Sequence, residues 1–98
     1  MEIRFGWRPE KAQRNLQKHG VKFETAQRVF LDPFRLIIDD CEDATGELRF
    51  HAIGRVENEL TLLVVFVDRA DDDEEVIHII SARRANAYEK QLYADQFA

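Results

Sequence analysis

The sequence predicts an α+β fold, with an antiparallel β-sheet, two N-terminal helices and a C-terminal helix. Three observations carry this. Apolar residues recur at helical spacing between Pro9 and Pro33. The period then drops to two across successive segments from Phe34 to Ile80, joined by short polar connections. From Ala82 to Phe97 the spacing is helical again. A chain of 98 residues is the size of a single domain, taken as residues 1–98.

The elements follow in order. Ile3 to Trp7 alternate apolar and polar and read as a short strand. Pro9 suits the first turn of a helix, and Gly20 suits its end. Ala12, Leu16 and His19 form the expected inner face of that helix, with Lys11, Arg14, Asn15 and Lys18 on its other side. "KFETAQRVFLDP" places Phe23, Ala26, Val29 and Phe30 on one face of a second helix that Pro33 ends. "FRLIID", "ELRFHAIG" and "EVIHII" read as strands. "LTLLVVFV" is apolar almost throughout and should be a central strand covered on both faces. Short loops between successive strands require antiparallel pairing. Ala85, Tyr88, Leu92 and Tyr93 are the expected contacts of the last helix with the sheet. The helices are expected on one face, leaving Arg49 and His51 on a partly open second face.

No apolar run approaches the roughly 18 residues of a membrane span, and the charged N-terminus is unlike a signal peptide. A soluble cytoplasmic protein is expected. The single Cys41 has no partner for an internal disulfide or a CxxC motif, and His19, His51 and His78 show no metal-ligand spacing, so no cofactor or metal is expected. Net charge is -5, yet residues 1–30 hold seven Lys/Arg against three Asp/Glu, and residues 31–76 hold four against fourteen. The basic third can meet an anion, and the acidic middle can meet a basic protein.

Four places can carry chemistry. In "SARRA", Ser81 is a candidate N-cap, and Arg83 and Arg84 at a helix start suggest a phosphate site. The alternative is a solvated pair, or an ion pair with Glu89 or Asp95. Lys18 and His19 in "KHG" either cap helix carbonyls or move protons beside a phosphate. Glu47, Arg49 and His51 alternate onto one strand face. They suit phosphoryl transfer, or form an ordinary solvated face with a Glu–Arg pair. Arg69 follows the apolar strand as a further cation. The chain shows no P-loop and no dinucleotide fingerprint.

Together these segments resemble the BrnT toxins of bacterial type II toxin–antitoxin systems. The matching residues are Phe5, Trp7, Lys11 and Asn15, "KHGVKFETAQRVFLDP", "ELRFHAIG", "LLVVF" with Arg69, "IISARRA", Glu89 and Tyr93. The chain departs from the family pattern at Arg8, where Asp is usual, and at His78, where Arg is usual. The resemblance implies a RelE-like fold and a metal-independent endoribonuclease that inhibits translation by cutting RNA. It also implies a BrnA-like antitoxin as partner, in a hetero-oligomer. Lys18, His19, Glu47, Arg49, Arg69 and Arg83 are then the expected catalytic set, and Lys11, His51, Arg84 and Tyr93 the expected RNA contacts. The alternative is a toxin-like binding module without cutting activity, which acts with its antitoxin in operon repression.

Overall fold

The computed structural model describes residues 3–42, 46–57, 60–71 and 74–98. Within them the order is β1 (Ile3–Gly6), α1 (Pro9–His19), α2 (Phe23–Ala26) with a 3-10 turn (Gln27–Leu31), β2 (Leu36–Glu42), β3 (Leu48–Arg55), β4 (Thr61–Asp71), β5 (Glu74–Arg84) and α3 (Ala87–Asp95). The side chains of Cys41 and of residues 71–74, between β4 and β5, lie outside those described.

One sheet runs β1-β5-β4-β3-β2, with β4 in the middle, as its continuous apolar composition predicts. β2 through β5 pair antiparallel. β1 instead adds to β5 in parallel, in register Phe5 with Ile77. That pairing is possible because the whole of α1 to β4 intervenes, and a long connection is what parallel strands need.

Both sheet faces carry helices, which corrects the one-face expectation. α1, α2 and the 3-10 turn cover a core of Phe23, Ala26, Val29, Ala52, Leu62, Val64, Phe66, Ile77 and Ile79. On the other face α3 seats Tyr93 and Leu92 over Ile53, Leu63, Leu36 and Val65. Alternation along β4 makes this unavoidable: Val64 and Phe66 face one layer, and Leu63 and Val65 the other. At Gly54 a Cβ would lie 2.7 Å from Val29 Cγ1, so only glycine lets the 3-10 turn approach β3 this closely.

Two local expectations are also corrected. The second helix is four residues long and then tightens into the 3-10 turn before Pro33. And "SARR" is not a helix start. β5 runs on to Arg84, with a bulge opposite Val65 and Phe66. The N-cap of α3 is Asn86, five residues after Ser81. Its side chain accepts from the Glu89 N–H at 2.8 Å, and Glu89 returns a bond to the Asn86 N–H at 2.9 Å. This reciprocal box satisfies two otherwise orphaned donors.

α1 is rotated from the face its apolar spacing suggests. Leu16 is 41% exposed, whereas Asn15 is buried. The Asn15 amide donates to the Val21 carbonyl (2.9 Å) and the Ala82 carbonyl (2.8 Å), and accepts from the Ala82 N–H (3.0 Å). β1 ends at Gly6, so the β5 edge beyond it has no strand partner there, and Asn15 supplies one. Gly20 ends the helix in the left-handed region at φ 71°, as its position predicts.

Candidate functional site

The face that carries α3 is covered only toward the Ile53 and Leu63 end. Strand alternation puts the remaining side chains of that face in rows. Arg83 lies across from Leu63, Ser81 from Val65, and Val65 from His51. His78 lies across from Val67, and Val76 from Arg69. Because Phe50 belongs to the opposite core, its neighbours Arg49 and His51 point to this face. Arg49, Arg69 and Arg83 therefore share one side of the sheet, together with Glu47, His51 and His78.

Arg83 and Arg69 are each oriented by a carboxylate. Arg83 makes a two-pronged pair with Glu89, both bonds at 2.8 Å, and also donates to the Arg84 carbonyl at 3.1 Å. This is the ion pair weighed in the sequence as the alternative to a helix-terminal phosphate site. The Arg83 bonds hold the Glu89 carboxyl below its ordinary range against the opposing effect of burial. The Asn86 N–H and the positive charges of Arg83 and His51 act in the same direction. Arg69 pairs with Glu47 at 3.3–3.4 Å in a more open position. His78 titrates below its ordinary value. Burial is the main cause, the Arg69 charge comes next, and Arg8 and Lys11 add to it while Glu47 opposes them.

A second basic surface adjoins the first along β5. Lys11, Arg14, Lys18 and His19 line a groove between α1 and β5 whose other wall is Ile80 and Ser81. Ser81 stands between the two surfaces, lining the groove while pairing across from Val65. Asn15 forms part of the groove and pins α1 to Ala82, so the spacing of Lys18 and His19 from β5 is fixed by two hydrogen bonds.

Two expected RNA contacts lie elsewhere. Arg84 pairs across from Leu62, a residue of the opposite core, and lines a depression with Leu16, Lys22 and Thr25. A strand sends neighbouring residues to opposite faces, so Arg83 and Arg84 cannot act together as a helix start would have let them. Tyr93 is 3% exposed and is a core residue. Its hydroxyl donates to Asp32 Oδ2 at 2.5 Å, the Arg55 guanidinium lies 5.3 Å from its ring centre, and Phe97 packs edge-on against it. Burial and the Asp32 bond push the Tyr93 hydroxyl up to about 12.

Three side chains at these positions have roles that the sequence alone does not show. The helical spacing of Ala12, Leu16 and His19 puts Asn15 on the outer side, whereas the structure buries it. Glu89 reads as a possible ion-pair partner and a family-matched position, and Asn86 and Glu89 also stand at capping-box spacing, a signal readable in "NAYE". Asp32 accepts from the Phe34 N–H (2.9 Å), the Arg55 N–H (2.8 Å) and Tyr93. Nothing local in the sequence announces that convergence. Among the described residues no group of three or more His, Cys, Asp or Glu gathers as a metal site. No helix among them is long and apolar enough to cross a membrane.

Among curated proteins none matches this sequence. A solved structure of similar fold is the 1.1 Å crystal structure of the Brucella abortus ribonuclease toxin BrnT. It is 26% identical, has a TM-score of 0.63, and the match covers 87% of this chain and 99% of that one. The family model described as "Ribonuclease toxin, BrnT, of type II toxin-antitoxin system" matches residues 7–89, from Trp7 past β5 to Glu89 in α3. The chain therefore belongs to the BrnT family of ribonuclease toxins of type II toxin–antitoxin systems.

Proposed function

We propose that this protein is a metal-independent endoribonuclease that cuts RNA on the open part of the α3-bearing face, and thereby inhibits translation. The observation that carries the reading is the gathering of Arg49, His51, Arg69 and Arg83 on one side of the sheet, with Arg83 and Arg69 oriented by Glu89 and Glu47. Guanidinium groups stay protonated and offer planar forks of donors, which suits a phosphorus centre gaining negative charge.

In this mechanism the RNA 2′-oxygen attacks the adjacent phosphorus. Glu47, the carboxylate paired with Arg69, takes the 2′-hydroxyl proton. Arg83 and Arg69 stabilise the charge on the non-bridging oxygens, and Arg49 orients the phosphate. The P–O5′ bond breaks, and the departing oxygen takes a proton from His51. The products are a 2′,3′-cyclic phosphate and a 5′-hydroxyl. Lys11, Lys18 and His19 hold the backbone of the same strand in the α1 groove, where a line of cations gives affinity without reading sequence. His19 is the alternative base, reached from across that groove. The partner is a BrnA-like antitoxin, which forms a hetero-oligomer with the toxin and silences it.

The test is purified protein incubated with RNA in EDTA, followed by end-group analysis. Cyclic phosphate termini are expected. Arg83→Ala is expected to lower the rate about a hundredfold to a thousandfold, the usual cost of one charge-stabilising donor. Loss of cleavage in EDTA would remove the metal-free mechanism. Full activity in Arg83→Ala, with the fold intact, would remove the site. A protein that never cuts RNA but still represses its operon with the antitoxin would establish the binding-module alternative.

A further inference from the structure

We propose that the uncovered end of the opposite sheet face is a docking groove for the antitoxin. Its occupant is a segment that presents apolar side chains flanked by Lys or Arg. The proposal rests on the toxin–antitoxin reading for the partner, and concerns a surface that the ribonuclease mechanism does not use.

α1 and α2 do not cover this whole face. At its far end Ile3, Phe30, Ile37, Phe50, Phe66 and Ile77 line an open depression. Its floor is an aromatic cluster. Phe30 meets Phe66 edge-on at 5.0 Å, and Phe50 stacks on Phe66 at 5.5 Å. Its two banks are the outer strands, where Ile3 is 45% and Ile37 47% exposed. A contiguous apolar surface with a firm aromatic floor is the form of a protein-binding patch, and Phe and Ile side chains make up its interior.

The rim supplies the second half of the argument. Asp68 and Glu75 line the same depression from neighbouring strands. Glu75 pairs across from Ile3, and Asp68 from Ile77. Neither carboxylate has an ion-pair partner among the described residues; Arg35, the cation that lines the same depression, donates to the Asp32 carbonyl at 3.1 Å instead. Two carboxylates against one guanidinium leave the lining net negative, which repels an RNA phosphate and attracts an ammonium or guanidinium group. Asp68 and Glu75 belong to the acidic stretch 31–76, which holds fourteen Asp/Glu against four Lys/Arg. The groove and the basic face lie on opposite sides of the sheet, so docking and cutting are separable by mutation.

The experiment is calorimetric titration of the toxin with the full-length antitoxin encoded beside it, at two salt concentrations. Ile37→Glu and the double variant Asp68→Lys/Glu75→Lys are compared with the unaltered protein. All three positions lie at the rim, and thermal melting checks each fold. Expected is a loss of affinity of about tenfold or more in each, the scale of a disrupted interface anchor. Salt dependence should weaken in the double variant. RNA cleavage by free toxin should be unchanged in both, and Arg83→Ala should bind within about threefold of the unaltered protein. Unchanged affinity in both groove variants overturns the proposal. So does self-association of the toxin that Ile37→Glu abolishes, which would make the occupant a second copy. RNA binding lost in the groove variants overturns it as well. If no protein in the series cuts RNA, the ribonuclease reading fails, while the titration still decides the groove.

Discussion

Replacing Asn15 by Ala should damage this fold more than any change at a neighbouring position on α1. The Asn15 amide makes three hydrogen bonds at 2.8–3.0 Å with the backbone of Val21 and Ala82. Truncation leaves one N–H and two carbonyls of a buried junction without these partners. Each lost bond costs about 1 kcal/mol net, and more where water cannot enter, so the total is about 3 kcal/mol. Domains of this size lose about 4–8 °C of melting temperature per kcal/mol, which puts the expected drop at roughly 12–24 °C. Urea titration followed by circular dichroism measures it, with Arg14→Ala as the exposed control, expected within about 0.5 kcal/mol of the unaltered protein. Asn15→Asp adds a second reading. A carboxylate there would face two carbonyl oxygens, so its pKa would be raised by folding. Above its unfolded value the unfolded chain would lose the proton first, and stability would fall as pH rises. A loss below about 1 kcal/mol in Asn15→Ala, or a pH-independent Asn15→Asp, would refute the view that this amide is the joint between α1 and β5.

Glu89→Gln keeps a capping-box side chain, because glutamine also serves at that position, but removes the charge partner of Arg83. It should melt within a few degrees of the unaltered protein yet cut RNA at least about tenfold more slowly, as rate assays would show. Gly54→Ala sets a methyl 2.7 Å from Val29 Cγ1 and should cost about 1–3 kcal/mol by denaturant titration. Acid should destabilise the protein through two carboxyls. Burial alone would raise Asp32, but the Arg55 N–H, the Tyr93 hydroxyl and the Phe34 N–H together hold it below its ordinary value. Glu89 is held low chiefly by Arg83. Both contribute stability that is fully present above the ordinary carboxylate range and lost as pH falls through their lowered folded values. Melting temperatures across that acid range measure this, and Tyr93→Phe should shrink the slope.

What the sequence alone determined is the part governed by local periodicity. The change from helical to alternating spacing, the apolar run of β4, Pro9 and the left-handed Gly20 each act over a few residues, and α1 and β4 are where those signals put them. The matched segments carried the family in the same way, since "KHGVKFETAQRVFLDP" and "IISARRA" are read along the chain. What only the tertiary structure decided is where side chains go when a partner distant in sequence decides. Asn15 turned inward because the β5 edge, 67 residues away, lacked a strand partner. "SARR" stayed in a strand because β4 supplies Leu62 and Leu63 to pair with Arg84 and Arg83, and that ladder outweighs the local tendency to start a helix. The two arginines were thereby sent to opposite faces, one toward Glu89 and one toward the α1 end. Tyr93 became core because Asp32, 61 residues earlier, receives its hydroxyl. Helical spacing marks which residues can share a face, but not which face the sheet will cover. That choice depends on the pairing of strands across the whole chain, which no local window contains.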